Sequence, residues 1–207
     1  ANPEADREIF LAARENLRKI GAQRTVLISS VNVYDDSRGK DENSEMPTEG
    51  LGAYGTYRLE LENWVQEDFD DVLIVRLPAL YGPGLRKNFI HDLIDPVSPF
   101  LSVAIYGELA SASMLVARSY EVGEDGFARR RRCADGTALC RWFADSEFNA
   151  LSFTDSRSRF QFYDLVRLWG DIRWALLERI PVLNIATPPI SAAEVYERVK
   201  GTAWTNE

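Results

Sequence analysis

Two short runs constrain the fold of this 207-residue chain more than anything else in it. Thr25-Val26-Leu27-Ile28-Ser29 and Val72-Leu73-Ile74-Val75-Arg76-Leu77 are nearly continuous in apolar, β-branched character. A strand with one wet face alternates apolar and polar residues, whereas a continuous run is buried on both faces, as in a parallel sheet. Parallel neighbours need a crossover, and the pattern from about Tyr54 to Glu67 supplies a helix between the two runs, with Asp70-Asp71 as the turn. Strand, helix and strand make a βαβ unit with a right-handed crossover.

The flanking segments extend this α/β reading. Asn2 is available as an N-cap and Pro3 as a first helical residue, and Ile9, Phe10, Ala13, Leu17 and Ile20 then recur at helical spacing until Gly21. Tyr34 to Gly52 is polar and rich in Asp, Glu, Ser, Gly and Pro, so it reads as loop. Beyond the second strand, Tyr81-Gly82-Pro83-Gly84 is a turn, Phe89 to Leu93 begins a short helix ended by Pro96, and Val103 to Tyr106 reads as a small strand. Phe162 to Leu177 has the spacing of a helix packed on the sheet, and Val182 to Ala186 that of a further buried strand. Ser191 and Glu194 form a capping box.

The chemistry-bearing residues lie at the start of the crossover helix. Tyr54 and Arg58 in Tyr54-Gly55-Thr56-Tyr57-Arg58 are one helical turn apart and share a face. A free phenol titrates near 10, too high to exchange protons readily at neutral pH. A neighbouring cation favours the phenolate and brings proton transfer within reach. Ser30, at the end of the first strand, is placed to orient a carbonyl or carbinol oxygen opposite that phenol.

Composition narrows the alternatives. The formal net charge of −8 argues against nucleic acid as a partner, and no apolar run approaches the roughly 20 residues of a membrane span. No signal-peptide pattern opens the chain, so a cytoplasmic protein is expected. Cys133 and Cys140 match no zinc or redox spacing, and a single His in the chain argues against a His-based metal site. Arg129-Arg130-Arg131-Arg132 reads as a solvated loop rather than an anion site, and His91 is assigned no role. Gly50-Leu51-Gly52-Ala53-Tyr54-Gly55 fits the dinucleotide fingerprint letter for letter, but no strand precedes it, so the match is taken as accidental.

Three landmarks in order, Ser29-Ser30-Val31-Asn32-Val33-Tyr34, Tyr54-Gly55-Thr56-Tyr57-Arg58 and Val75-Arg76-Leu77-Pro78-Ala79-Leu80-Tyr81-Gly82-Pro83-Gly84, resemble those of the extended short-chain dehydrogenase/reductases. That family includes the NAD-dependent epimerases and dehydratases. The resemblance implies a Rossmann-like parallel sheet with flanking helices, incomplete at the N-terminus, plus a small irregular substrate-side region. It implies Ser30, Tyr54 and Arg58 as the catalytic set. Ser29, Tyr54, Arg58, Leu77 and Pro78 would bind the cofactor, and Asn88 and Arg157 the substrate diphosphate. The cofactor is NAD or NADP, although the main glycine-rich motif is absent from this chain.

Three departures qualify the resemblance. Arg58 stands where the family has lysine and presents a rigid fork to the ribose. Ala79 replaces a substrate-binding asparagine, and the glycine-rich strand-turn-helix has no counterpart. The chain is therefore read as a fragment of a longer protein, the alternative being that another chain covers the apolar edge its first strand leaves. The expected division is 1–88, the C-terminal half of a Rossmann-like domain carrying the Ser/Tyr site; 89–160, a substrate-side region and insertion; and 161–207, a helix, final strand and C-terminal helix returning to the sheet. The expected activity is that of an NAD(P)-dependent oxidoreductase, epimerase or dehydratase on a sugar-like hydroxyl or carbonyl. The rival reading is a non-catalytic nucleotide-binding or sensor protein of the same fold. A small-molecule substrate is the expected partner, with a homodimer as a second candidate.

Overall fold

The structure, a computed structural model, describes residues 3–85, 88–132 and 134–207. Asn2 and Cys133 lie outside the described residues. In chain order the first elements are α1 (Pro3–Arg18), β1 (Thr25–Ser30), α2 (Ala53–Asp68), β2 (Val72–Leu77) and β3 (Ala79–Tyr81). The middle of the chain forms α3 (Phe89–Ile94), β4 (Phe100–Ser102), α4 (Val103–Ala112), α5 (Met114–Ser119), β5 (Tyr120–Val122), β6 (Phe127–Arg130), α6 (Gly136–Asp145) and α7 (Ala150–Phe153). The last part contains β7 (Arg159–Phe160), β8 (Phe162–Asp164), α8 (Leu168–Leu177), β9 (Val182–Asn184), β10 (Ile190–Ser191) and α9 (Ala192–Lys200). Two compact units result, Ala1–Pro83 with Phe160–Pro189 and Gly84–Arg159 with Ile190–Glu207. The final helix α9 thus groups with the second unit rather than with the sheet.

The first unit is an α/β layer structure around a parallel sheet of order β1-β2-β9. Thr25 pairs with Val72 and Ser30 with Leu77, so the two predicted strands run in register along their whole length. Alternation along β2 divides its side chains between two cores. Leu73, Val75 and Leu77 pack with Tyr163, Ile172, Ala175 and Ile185 on the α8 side. On the other side Phe10, Leu61, Trp64 and Val65 form a second cluster that also packs Leu27 and Val72. Each buried Leu, Ile, Val or Phe among them stabilises the fold by roughly 1.5–3 kcal/mol. β1 is an edge of this sheet among the described residues, and Ile28 on it is 39% exposed.

The second unit has its own core of Val97, Leu101, Val116, Tyr120, Ala128, Leu139 and Phe143 beside an antiparallel sheet of order β4-β6-β5. The Tyr120 hydroxyl donates to the Ser98 carbonyl at 2.6 Å, and burial pushes its pKa up to about 12. α9 begins with the expected capping box of Ser191 and Glu194.

Three local expectations are corrected. Residues 162–164 form strand β8, paired parallel with β3, and the helix begins only at Leu168. Aromatic residues at Phe160 and Phe162 favour extended chain, and the Asp164 carboxylate accepts the Val166 N–H at 3.0 Å to turn it. Val103 to Tyr106 is the first turn of α4, capped by Ser102; the strand lies just before it at 100–102. Arg129 and Arg130 lie in β6 rather than in a loop. Arg129 pairs with Asp125, Arg130 with Asp95 and Arg131 with Glu121. Residues 154–158 lead into strand β7, with the Asp155 carboxylate accepting the Arg157 N–H at 2.8 Å.

The end of α8 carries a strained cap. The Ile180 N–H reaches the Ala175 carbonyl at 2.9 Å and the Arg179 N–H the Leu176 carbonyl at 3.4 Å, a Schellman closure that seats Ile180 against the core. Its left-handed residue is Arg179, with φ 56°, where glycine is the usual occupant. Arg179→Gly is expected to stabilise the chain by roughly 0.5–1 kcal/mol, read as a higher urea midpoint at unchanged slope. An unchanged or lower midpoint contradicts this account of the cap.

Candidate active site

The site is built where α2 starts against the end of β1. After Ser30 the backbone makes a single 3₁₀ turn, Val31–Val33, and the Ser30 hydroxyl accepts the Asn32 N–H at 3.2 Å. That bond leaves the hydroxyl hydrogen free to be aimed elsewhere. The Asn32 carbonyl is then met by Gly55 in the first turn of α2. A Cβ at residue 55 would lie 2.3 Å from that oxygen, so only glycine permits the approach. Gly55 belongs to the Gly-x-Gly-x-x-Gly match; it serves here as a contact of α2 with the serine turn, and Gly52 is the N-cap of α2 after loop rather than strand.

Tyr54 sits at the mouth of this contact, 39% exposed. The Arg58 guanidinium lies over its ring, 5.2 Å from the centroid, so the expected one-turn pairing is present as a stacked cation. Arg58 Nη1 also donates to the Ile28 carbonyl at 3.4 Å, which ties the cation to β1. A shallow recess of about 260 Å³ opens beside the phenol, lined by Asn32, Tyr34, Asp35, Leu51, Gly52 and Tyr54 among others. Ligands of parallel α/β sheets bind at the carboxyl ends of strands, which is where this recess lies.

Residues expected at the cofactor are distributed along the same strand ends. Leu77 pairs with Ser30 and is buried, and Pro78 follows it half-buried. The Ser29 hydroxyl is buried and has no hydrogen-bond partner among the described residues. An orphaned buried hydroxyl at a strand end fits a group supplied by a ligand. Asn88 and Arg157 belong to the second unit. The Asn88 side chain caps α3 by accepting the His91 N–H at 2.8 Å. Exposed Arg157 pairs with Asp155 at 2.9 Å and with Glu207 at 3.6 Å. Among the described residues no group of three or more His, Cys, Asp and Glu could hold a metal ion, and no helix is long and apolar enough to cross a membrane.

Behind the site lies a buried polar network that the sequence reading missed by placing Tyr34 at the start of a loop. Arg76 of β2 and Glu62 of α2 are 5% and 1% exposed and are joined by bonds of 2.7, 3.1 and 3.1 Å. Arg76 Nη1 donates to the Tyr34 hydroxyl at 2.6 Å, and that hydroxyl donates to the Asp41 carbonyl at 2.8 Å. Asn184 Nδ2 of β9 donates to the same hydroxyl at 2.9 Å, and the Asn184 N–H is taken by Glu42 at 2.6 Å. Burial works against the Arg76 charge, but the Glu62 carboxylate and Tyr34 outweigh it and raise the pKa. The available signal was the arginine inside an otherwise apolar strand, which requires a buried partner.

The sequence profile of the NAD dependent epimerase/dehydratase family matches residues 4–113, just over half of the chain and a stretch that includes Ser30, Tyr54 and Arg58. The chain belongs to this family. Curated proteins yield no match. Solved structures share its fold. The Bordetella bronchiseptica enzyme WbmG in complex with NAD and UDP is 17% identical, with a TM-score of 0.52 over 96% of this chain and 49% of that one. A UDP-galactose 4-epimerase is also 17% identical, with a TM-score of 0.51 over 92% and 50%. The dTDP-4-dehydrorhamnose reductase of Bacillus anthracis in complex with NADP is 16% identical, with a TM-score of 0.51 over 86% and 46%. The chain spans about half the length of these solved relatives.

The Gly55 contact gives the first test of this geometry within the epimerase/dehydratase chain. On helix propensity alone, Gly55→Ala would stabilise α2 by about 1 kcal/mol. Because the new Cβ meets the Asn32 carbonyl, the expected outcome is instead a loss of about 1–3 kcal/mol in urea unfolding. A gain in stability contradicts the close approach.

Proposed function

We propose that the chain is part of an NAD(P)-dependent oxidoreductase, epimerase or dehydratase acting on a hydroxyl or carbonyl of a sugar or nucleotide-sugar-like substrate. The observation that carries the reading is Tyr54 at the recess with the Arg58 cation stacked on it and the Ser30 turn held beside it by Gly55. In this reading the Tyr54 hydroxyl exchanges a proton with the substrate oxygen. Ser30 Oγ donates its free hydrogen to the same oxygen and fixes its orientation. The Arg58 guanidinium over the Tyr54 ring places a positive charge beside the site of proton transfer. Asn32 and Asp35 line the recess with groups that hydrogen-bond sugar hydroxyls.

Ser29, Tyr54, Arg58, Leu77 and Pro78 are the residues that would hold the cofactor, NAD or NADP. When bound, its nicotinamide supplies the hydride acceptor or donor. Family membership and relatives solved with NAD or NADP support this assignment. Asn88 and Arg157 are proposed at the substrate diphosphate, where Arg157 would exchange its exposed pairing with Asp155 and Glu207 for a phosphate.

One observation favours a second reading, a non-catalytic protein of the same fold. Arg58 bonds a carbonyl of its own chain and stands where the family has lysine, so its contact with a ribose would be rearranged. Tyr54→Phe in the full-length protein separates the two. The enzyme reading expects turnover to fall by at least about 100-fold with the melting temperature unchanged. Turnover or biological activity that survives the substitution removes Tyr54 from catalysis and leaves the non-catalytic reading.

A further inference from the structure

Given the reading of Asn88 and Arg157 as diphosphate residues, on which this rests, we propose that the segment after α9 is a clip that sets the affinity of the second unit for a nucleoside diphosphate. In it Asn206 shapes the loop that carries Arg157, and Glu207 occupies the guanidinium edge that a phosphate would take. Gly201 ends α9 in the left-handed conformation, with φ 76°, and its N–H donates to the Glu197 carbonyl at 2.8 Å. Residues 204–207 then meet both of the segments that bear the two diphosphate residues.

Trp204 reaches the first segment. Its indole packs against the ring of Phe89, the residue after Asn88, with centroids 6.4 Å apart, and against Tyr196 of α9 at 5.5 Å. Aromatic pairs at such separations are favourable beyond the area they bury. Phe89 is buried and is the first residue of α3, so the contact ties the clip to the helix that Asn88 caps.

Asn206 reaches the second segment. Its carboxamide has two hydrogens to donate, and they go to the carbonyls of Leu151 and Thr154, each at 3.0 Å. Its backbone carbonyl accepts the Ser156 N–H at 2.8 Å. One residue thus satisfies three backbone groups between α7 and Arg157, in an irregular stretch that supplies few partners of its own. α9 holds the same loop through the Ala192 and Ala193 N–H groups, which donate to the carbonyls of Ser158 at 2.8 Å and Ser156 at 2.9 Å.

The neighbouring residue works in the opposite direction. Asp155, on the same loop, accepts from Arg157 Nε at 3.0 Å and Nη2 at 2.9 Å, whereas Glu207 comes from the clip and stands 3.6 Å from Nη1. An exposed pair of that length is weak, and a phosphate brings more charge and more acceptor oxygens to the same edge. Asn206 therefore lowers the ordering cost of binding by holding the loop, and Glu207 competes with the ligand for the arginine.

Calorimetric titration of UDP into the 207-residue chain tests this. Arg157→Ala is expected to weaken binding by at least about tenfold. Asn206→Ala is expected to weaken it by about fivefold and to add nothing further in the Arg157→Ala background. Glu207→Gln is expected to tighten binding by about threefold, an effect of opposite sign that a merely structural role would not give. That exposed substitution also keeps the test decisive if Asn206→Ala fails to fold. Amide exchange of Ser156 is expected to quicken in Asn206→Ala and to stay unchanged in Arg157→Ala. Absence of UDP binding, or binding indifferent to Arg157→Ala, overturns the diphosphate reading and the clip with it. Binding weakened by Arg157→Ala but unchanged by Asn206→Ala, or not tightened by Glu207→Gln, overturns the clip alone and leaves the diphosphate reading standing.

Discussion

The ion pair between Glu62 and Arg76 is the interaction on which the first unit depends. Both charges are buried, and removing a carboxylate and a guanidinium from water is expensive. The bidentate geometry and the Tyr34 hydroxyl offset that expense only while every member of the network is present. Loss of one partner of such a pair typically costs about 3–5 kcal/mol. The network therefore behaves as a positional lock joining four segments: α2 through Glu62, β2 through Arg76, the loop after β1 through Tyr34 and Asp41, and β9 through Asn184.

From that lock the candidate site follows by helix geometry. Tyr54, Arg58 and Glu62 are spaced by four residues and run along one side of α2. One end of the line is fixed in the core, and the other carries the phenol at the recess. Arg58 in between is held by the Tyr54 ring and the Ile28 carbonyl. The same network anchors Tyr34, four residues after Ser30, and so holds the turn that Gly55 packs against. The proposed proton-transfer residue and the proposed orienting serine thus share one buried support.

Much of this was legible in the sequence, and the reasons differ by element. β1 and β2 were readable because parallel strands buried on both faces give continuous β-branched runs, and their observed register matches the predicted spans closely. Tyr54 and Arg58 were readable because a four-residue spacing has only one meaning on a helix. Less legible were segments where a single hydroxyl or carboxylate decides the conformation. Ser102 turns an apolar run that looks like strand into α4, and Asp164 separates β8 from α8 within a stretch whose apolar spacing suits one long helix. The role of Tyr34 was hidden for another reason. Its partners Arg76 and Asn184 are distant in sequence, and only the fold brings them to one hydroxyl.

The most direct test of the lock is hydrogen exchange of Glu62→Gln compared with the unsubstituted chain. Three reporters lie in different segments: the Tyr34 amide bonded to Val31, the Thr56 amide bonded to Gly52 and the Asn184 amide bonded to Glu42. The account predicts that these three lose protection together, and by more than the amides of β2 around Leu73, because local opening of the site precedes global unfolding. Equal loss across the sheet and the three reporters, or retained protection at Tyr34 and Thr56, would show that the site is positioned independently of the buried pair.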